Sequence, residues 1–213
     1  MLITKEDESE GLCTAKGVIV DDREILADFV VLCLGPWTNQ LPSVPKLCTV
    51  GALLGHSVVF KPKRECSITP HALFLNLRGL RGDEETELDV FPRPGGEVFV
   101  CGMNSVAHAV KGVTATEPLP GCCDRIKDVV ARISSDLADA DVILEQACLR
   151  PVTSDGIPII GKIPQVEGLY IGSGHGFWGI NNGPGTGYAL AELIATGDCL
   201  SLDLFPFSPA RFQ

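Results

Sequence analysis

Gly168-Leu169-Tyr170-Ile171-Gly172-Ser173-Gly174-His175-Gly176-Phe177-Trp178-Gly179-Ile180 leads, two residues later, into Gly183-Pro184-Gly185-Thr186-Gly187 and the run Tyr188 to Thr196. Leu169 to Gly172 reads as a short apolar strand, and the glycines after it as a tight turn. Leu190, Leu193 and Ile194 fall on one face of a helix predicted over 188–196, with Gly197 stopping it. Such a connection leaves free backbone N–H groups and a positive dipole end near Gly185 to Gly187. Small residues there let a planar or anionic ligand approach the backbone closely. On the residues alone, a tight turn with no ligand fits equally well. Neither glycine cluster is a dinucleotide fingerprint, because Phe177 and Tyr188 stand where G-x-G-x-x-G needs its last glycine, and no Walker A pattern occurs.

The N-terminal part has a similar texture. Gly17 to Val20 and Arg23 to Leu26 predict a hairpin turning at Asp21-Asp22. Ala27 to Leu34 is nearly unbroken in apolarity and is closed by Gly35-Pro36, as expected of a parallel strand buried on both faces. Between these parts lie short strand candidates at Ser57–Phe60, Ala72–Leu77, Leu88–Phe91 and Glu97–Gly102. The second pair predicts a hairpin through Pro92 to Gly96. Ile126, Val129, Val130, Ile133 and Leu137 form one stripe of a helix predicted over 122–140. Lys61, Lys63 and Arg64, and the acidic run Asp83 to Glu87, read as solvated loops. The expected fold is α/β with an α+β insert: a discontinuous part over 1–44 and 147–213, and an antiparallel domain over 45–146. Ile157–Ile160 adds a strand to the second half of the first part.

The 213 residues are 45% hydrophobic and 21% charged, ordinary values for a soluble globular chain. Seventeen Lys and Arg against 27 Asp and Glu leave a net charge of −10, which disfavours nucleic acid and anionic membranes as partners. The apolar runs are too short to span a bilayer. Nine cysteines, an odd count without C-x-x-C spacing, read as reduced thiols of a cytoplasmic protein and as no metal site. The N-terminus lacks the apolar core of a signal peptide and is too acidic for a transit peptide.

Cys148-Leu149-Arg150-Pro151-Val152-Thr153-Ser154-Asp155-Gly156-Ile157-Pro158-Ile159-Ile160-Gly161, together with Gly168 to Ile180, resembles the C-terminal signature of the D-amino acid oxidase-like FAD-dependent oxidoreductases. Thr186-Gly187 and Ala191-Glu192-Leu193-Ile194 continue the likeness. Upstream, Ala27-Asp28-Phe29-Val30-Val31-Leu32 with Gly35-Pro36-Trp37 is similar to the family's "AD-x-VV…GPW" strand. The closing Pro209-Ala210-Arg211-Phe212 is similar to the tail of a eukaryotic, cytosolic branch.

The resemblance implies a partial glutathione-reductase-type FAD-binding domain and an inserted antiparallel substrate domain. It also implies oxidation of a C–N bond in an amino acid or secondary amine, with FAD as cofactor. Gly174, His175, Gly176, Gly179 and Ile180 match the turn along the flavin, with Gly35, Pro36, Trp37 and Gly185, Thr186, Gly187 beside it. Arg150 matches an arginine that pairs with a substrate carboxylate, though a surface ion pair fits as well. His175 is a candidate both for contact with substrate and for a hydrogen bond to backbone, and Trp37 and Trp178 read as packing residues. Cys148 lines up with the cysteine that sarcosine oxidase-like enzymes attach to flavin, where Arg150 would favour the thiolate; a buried structural thiol is the rival reading.

The family's G-x-G-x-x-G unit, which seats the FAD pyrophosphate, has no counterpart among these residues. The chain by itself is therefore expected to bind FAD weakly or not at all. A non-catalytic remnant or interaction module, or a truncated gene model without flavin, is the alternative. The sheet edge left without that unit would favour pairing with another chain, a second copy of this one included.

Overall fold

The computed structural model describes residues 1–7, 12–41, 49–63, 68–79, 85–107, 116–164 and 166–212. The chain divides into two compact units. One comprises Met1–Leu53 with Arg150–Gln213, the other Leu54–Ala107 with Lys111–Leu149. These divisions fall inside two continuous strands, β5 (Gly51–Lys61) and β9 (Asp141–Val152). The expected joint at 44/45 lies outside the described residues.

In the first unit, β1 (Leu2–Asp7), β2 (Leu12–Val20) and β3 (Arg23–Leu26) form an antiparallel meander, and the short strand β11 (Val166–Glu167) pairs parallel with β2 on its side away from β1. Asp21 and Asp22 both have positive φ, the conformation a two-residue hairpin turn requires. A second sheet sets β12 (Leu169–Ser173) between β10 (Ile159–Lys162) and β4 (Val30–Leu32). It is mixed rather than parallel: β12 runs parallel to β4 and antiparallel to β10.

β12 is the strand buried on both faces. Leu169 and Ile171 join Val30, Leu32, Ile159 and Ile163 in one core, while Tyr170 meets Ile160 and Leu190 in another. The 27–34 run departs from its expected role. Only Val30–Leu32 is strand, it lies at the sheet edge, and Val31 is 39% exposed. Its apolar composition reads the same whether one face or two are covered.

In the second unit a five-stranded sheet has the order β6-β7-β8-β5-β9, with β6 at Leu73–Arg78, β7 at Glu85–Pro92 and β8 at Val98–Ala107. The β7–β8 hairpin turns through 93–97, as expected. Helix α1 (Cys122–Ile133) packs Ile126, Val129 and Val130 on Val58, Leu88 and Val100. The helix expected through 140 breaks at Ser134, whose extended backbone starts a short α2 (Ser135–Ala138). Its Oγ accepts the Leu137 N–H at 3.3 Å, a hydroxyl cap competing with helix continuation.

Two stretches expected as solvated loops are partly strand. Lys61 ends β5 and donates to the Gly95 carbonyl, and Glu85–Glu87 open β7, whereas Lys63 lies in an exposed bend after β5, as expected, and pairs with Asp141. Arg64, Asp83 and Glu84 lie outside the described residues.

Candidate functional site

Ser173 ends β12, and the chain then turns through Gly174 and Gly176, both at positive φ. A Cβ at Gly174 would stand 2.7 Å from Thr153 Cγ2, so only glycine fits this approach of two loops. A single 3-10 turn over Gly176–Trp178 follows, and then α3 (Gly179–Thr196). The helix therefore begins at Gly179 rather than at Tyr188, and Gly185, Thr186 and Gly187 lie within it. Their N–H groups are spent inside the helix, so the dipole end expected there sits at Gly179 instead, where no side chain caps it. Glycine and proline usually mark loops, and here packing of Ala189, Leu190, Leu193 and Ile194 overrides that preference. Gly197, with φ 84°, closes α3 as expected.

Gly176, Gly179, Gly183 and Gly187 recur at three- and four-residue intervals. Beside Gly183, Gly185 and Gly187 no atom lies within 4 Å of where a Cβ would be. Ile180 is 97% exposed, and Phe177, Trp178 and Tyr188 are also exposed. This bare stretch of α3 admits a flat ligand against its backbone.

Gly35, also at positive φ, opens a 3-10 turn over Gly35–Gln40 in which Pro36 is buried and Trp37 half-buried. The Gly35 carbonyl accepts from Thr38 Oγ1 at 2.6 Å and from Ser173 Oγ at 3.4 Å. The structure thus brings Gly35-Pro36-Trp37 to the end of β12, across 138 residues of sequence.

His175 bridges to Val152, and its Nε2 lies 2.8 Å from Thr186 Oγ1. Burial pushes its pKa below the ordinary histidine value, favouring the neutral ring. Arg150 stacks over the Phe177 ring at 4.8 Å from its centroid. Phe177, absent from the expected site, makes a contact with Arg150 that no local pattern signals. Cys148 is an exposed free thiol on β9, which is at odds with a buried structural role. Strand alternation puts it on the same face as Arg150. Among the described residues, no group of three His, Cys, Asp or Glu side chains is placed to hold a metal.

The family model for FAD-dependent oxidoreductases of the DAO type matches residues 4–193. The chain belongs to this family. It is 38% identical over 203 residues to the uncharacterised oxidoreductase YurR of Bacillus subtilis, spanning 92% of this chain and 50% of that one. Its fold is similar to glycine oxidase from Geobacillus kaustophilus, with a TM-score of 0.73 at 22% identity over 98% of this chain and 50% of that one. Iminodiacetate oxidase from Chelativorans sp. BNC1 gives 0.71 at 22%, over 98% and 52%. This DAO-family chain spans about half the length of these relatives.

FAD is the cofactor of the DAO family, and the fold is that of its oxidases, mixed α/β with antiparallel sheets. The residues present suit a flavin ring: the glycine face of α3 is open, and the uncapped helix start favours negative charge. No helix among the described residues is long and apolar enough to cross a membrane.

Proposed function

We propose that this chain supplies part of an FAD-dependent oxidoreductase that oxidises a C–N bond of an amino acid or secondary amine. The observation that carries the reading is Arg150 stacked on Phe177, next to the Gly174–Gly179 turn. A guanidinium held on an aromatic face suits a substrate carboxylate, which it can meet with two parallel hydrogen bonds. The names of the glycine and iminodiacetate oxidases, both carboxylate-bearing amines, support this substrate class.

When bound, the flavin supplies the hydride acceptor, with O₂ or another acceptor taking the electrons onward. Gly174, Gly176, Gly179, Ile180 and Gly183 would line the ring, with Gly35, Pro36, Trp37 and the α3 residues Gly185, Thr186 and Gly187 around it. His175, kept neutral by burial, would hold the turn to α3 through Thr186. In this reading the first unit is a partial glutathione-reductase-type FAD-binding domain and the second an inserted substrate domain. The seven described cysteines are all free, which supports a cytoplasmic location. The exposed edge of β4 supports association with a second copy.

The test is a screen of amino acids and N-methyl amines for peroxide release, in a flavin-loaded full-length form that carries the pyrophosphate-seating unit. Arg150→Ala should then weaken carboxylate-bearing substrates selectively, by about 2–5 kcal/mol. Equal loss on an amine analogue without the carboxylate would assign Arg150 to structure instead.

A further inference from the structure

Arg211 lies in the C-terminal 3-10 turn Pro209–Phe212, yet it also reaches a distant loop. Its Nε donates to Asp155 Oδ2 at 2.7 Å and its Nη2 to Asp155 Oδ1 and the Ile157 carbonyl. Nη1 donates to the carbonyls of Phe207 and Ser208, and the guanidinium sits over the Phe212 ring at 4.4 Å. The Arg211 side chain is 19% exposed, less than the basic partners in the ion pairs of Lys63, Arg78, Arg93, Lys127 and Lys162. A guanidinium with this many acceptors is held in one orientation, which a lone surface pair is not.

The loop it grips, 153–158, has no regular structure of its own. Asp155 Oδ1 accepts the Ile157 N–H at 3.1 Å, and buried Thr153 donates to the Ile157 carbonyl at 2.8 Å. Arg211 holds the Asp155 carboxyl well below the usual carboxylate range, so the pair is charged at any ordinary pH. On its other side the loop abuts the glycine turn. Thr153 Cγ2, Ile159 N and Pro158 Cα surround Gly174, and Val152 bridges to His175. No slack separates Thr153 from Gly174, so a shift of the loop moves the turn directly.

We propose that Arg211, acting through Asp155, is a positioning residue that locks the 153–158 loop and thereby fixes the Gly174–Trp178 turn and the end of the strand carrying Arg150. Its relevance to catalysis rests on the flavin reading of that turn, but the locking itself does not. Amide hydrogen exchange of the full chain without flavin tests it. In Arg211→Ala, amides of 153–158 and 174–178 should exchange about ten-fold faster, with those of Ile126–Val130 and of β10 and β12 unchanged. Asp155→Asn, which keeps the shape and removes the charge, should reproduce the pattern and serves if Arg211→Ala does not fold. Arg211→Lys should restore protection only in part, because it keeps the charge and loses the fork. Unchanged exchange in the turn, or an equal rise throughout β10 and β12, would overturn the proposal. The Arg211 effect is read without flavin, so the lock stands or falls independently of the flavin reading; protection of the turn by added FAD would support that reading in addition.

Discussion

A methyl group at Gly174 would meet both a positive-φ backbone and Thr153 Cγ2 at 2.7 Å, whereas one at Gly183 would meet nothing within 4 Å. The two glycines are therefore expected to answer alanine in opposite ways. Gly174→Ala should destabilise by about 1–3 kcal/mol through strain. Gly183→Ala should stabilise by about 0.4–1 kcal/mol through reduced unfolded-chain entropy, yet weaken flavin binding by filling the open helix face. Thermal melts read the stability changes, and FAD titration of the apoprotein in a longer form that carries the pyrophosphate-seating unit reads the binding. His175 adds a pH dependence. Its folded pKa is lowered, so its contribution is complete above about pH 6.5, the ordinary histidine value, and is lost as pH falls from there toward the folded value. The melting temperature of the unsubstituted chain should fall relative to His175→Gln below about pH 6.5 and run parallel to it above. A constant gap throughout would show that His175 is not held neutral by burial.

Helix α1 and its neighbour show how one hydroxyl reorganises an element. The apolar stripe from Ile126 to Leu137 is continuous in sequence and, Ile133 excepted, stays on one core, yet the backbone between is broken at Ser134. Removing that cap with Ser134→Ala should cost about 1 kcal/mol. Ile126→Ala, from a fully buried position, should cost about 2–5 kcal/mol in the same denaturation series. Similar losses for the two would mean that the cap carries more of the helix pair than its hydrogen bond suggests. Periodicity located α1 because burial imposes it, but the Ser134 break competes only through a local side-chain bond. Strand β9 left the opposite trace: Val142, Ile143 and Leu144 are exposed, so no alternation marks the strand that bears Cys148 and Arg150.

Across the molecule, a net charge of −10 and an isoelectric point near 4.8 coexist with exposed apolar side chains along the β4 edge, Phe29, Val31 and Leu34 among them. Charge repulsion keeps such surfaces apart at neutral pH and vanishes near the isoelectric point. Light scattering should therefore show self-association rising steeply from pH 7.5 toward pH 5 and reversing on return. Association as strong at pH 7.5 would mean that the apolar edge pairs specifically, against the full charge.

The local pieces whose signal lies in neighbouring residues were legible before any tertiary contact was known. These are the Asp21-Asp22 hairpin, the β7–β8 hairpin, the α1 stripe, the glycine turn after β12 and the Gly197 stop, each imposed by φ preference or burial period. The sequence also carried the family likeness, through Gly35-Pro36-Trp37 and the 148–180 segment. That β4 is an edge strand, that α3 begins at Gly179 and that Phe177 lies under Arg150 follow from long-range packing. The tertiary structure alone joined Arg211 to Asp155 across 56 residues. Those outcomes depend on which surfaces are covered and which distant groups come within hydrogen-bonding reach, and neither is encoded in the spacing of adjacent residues.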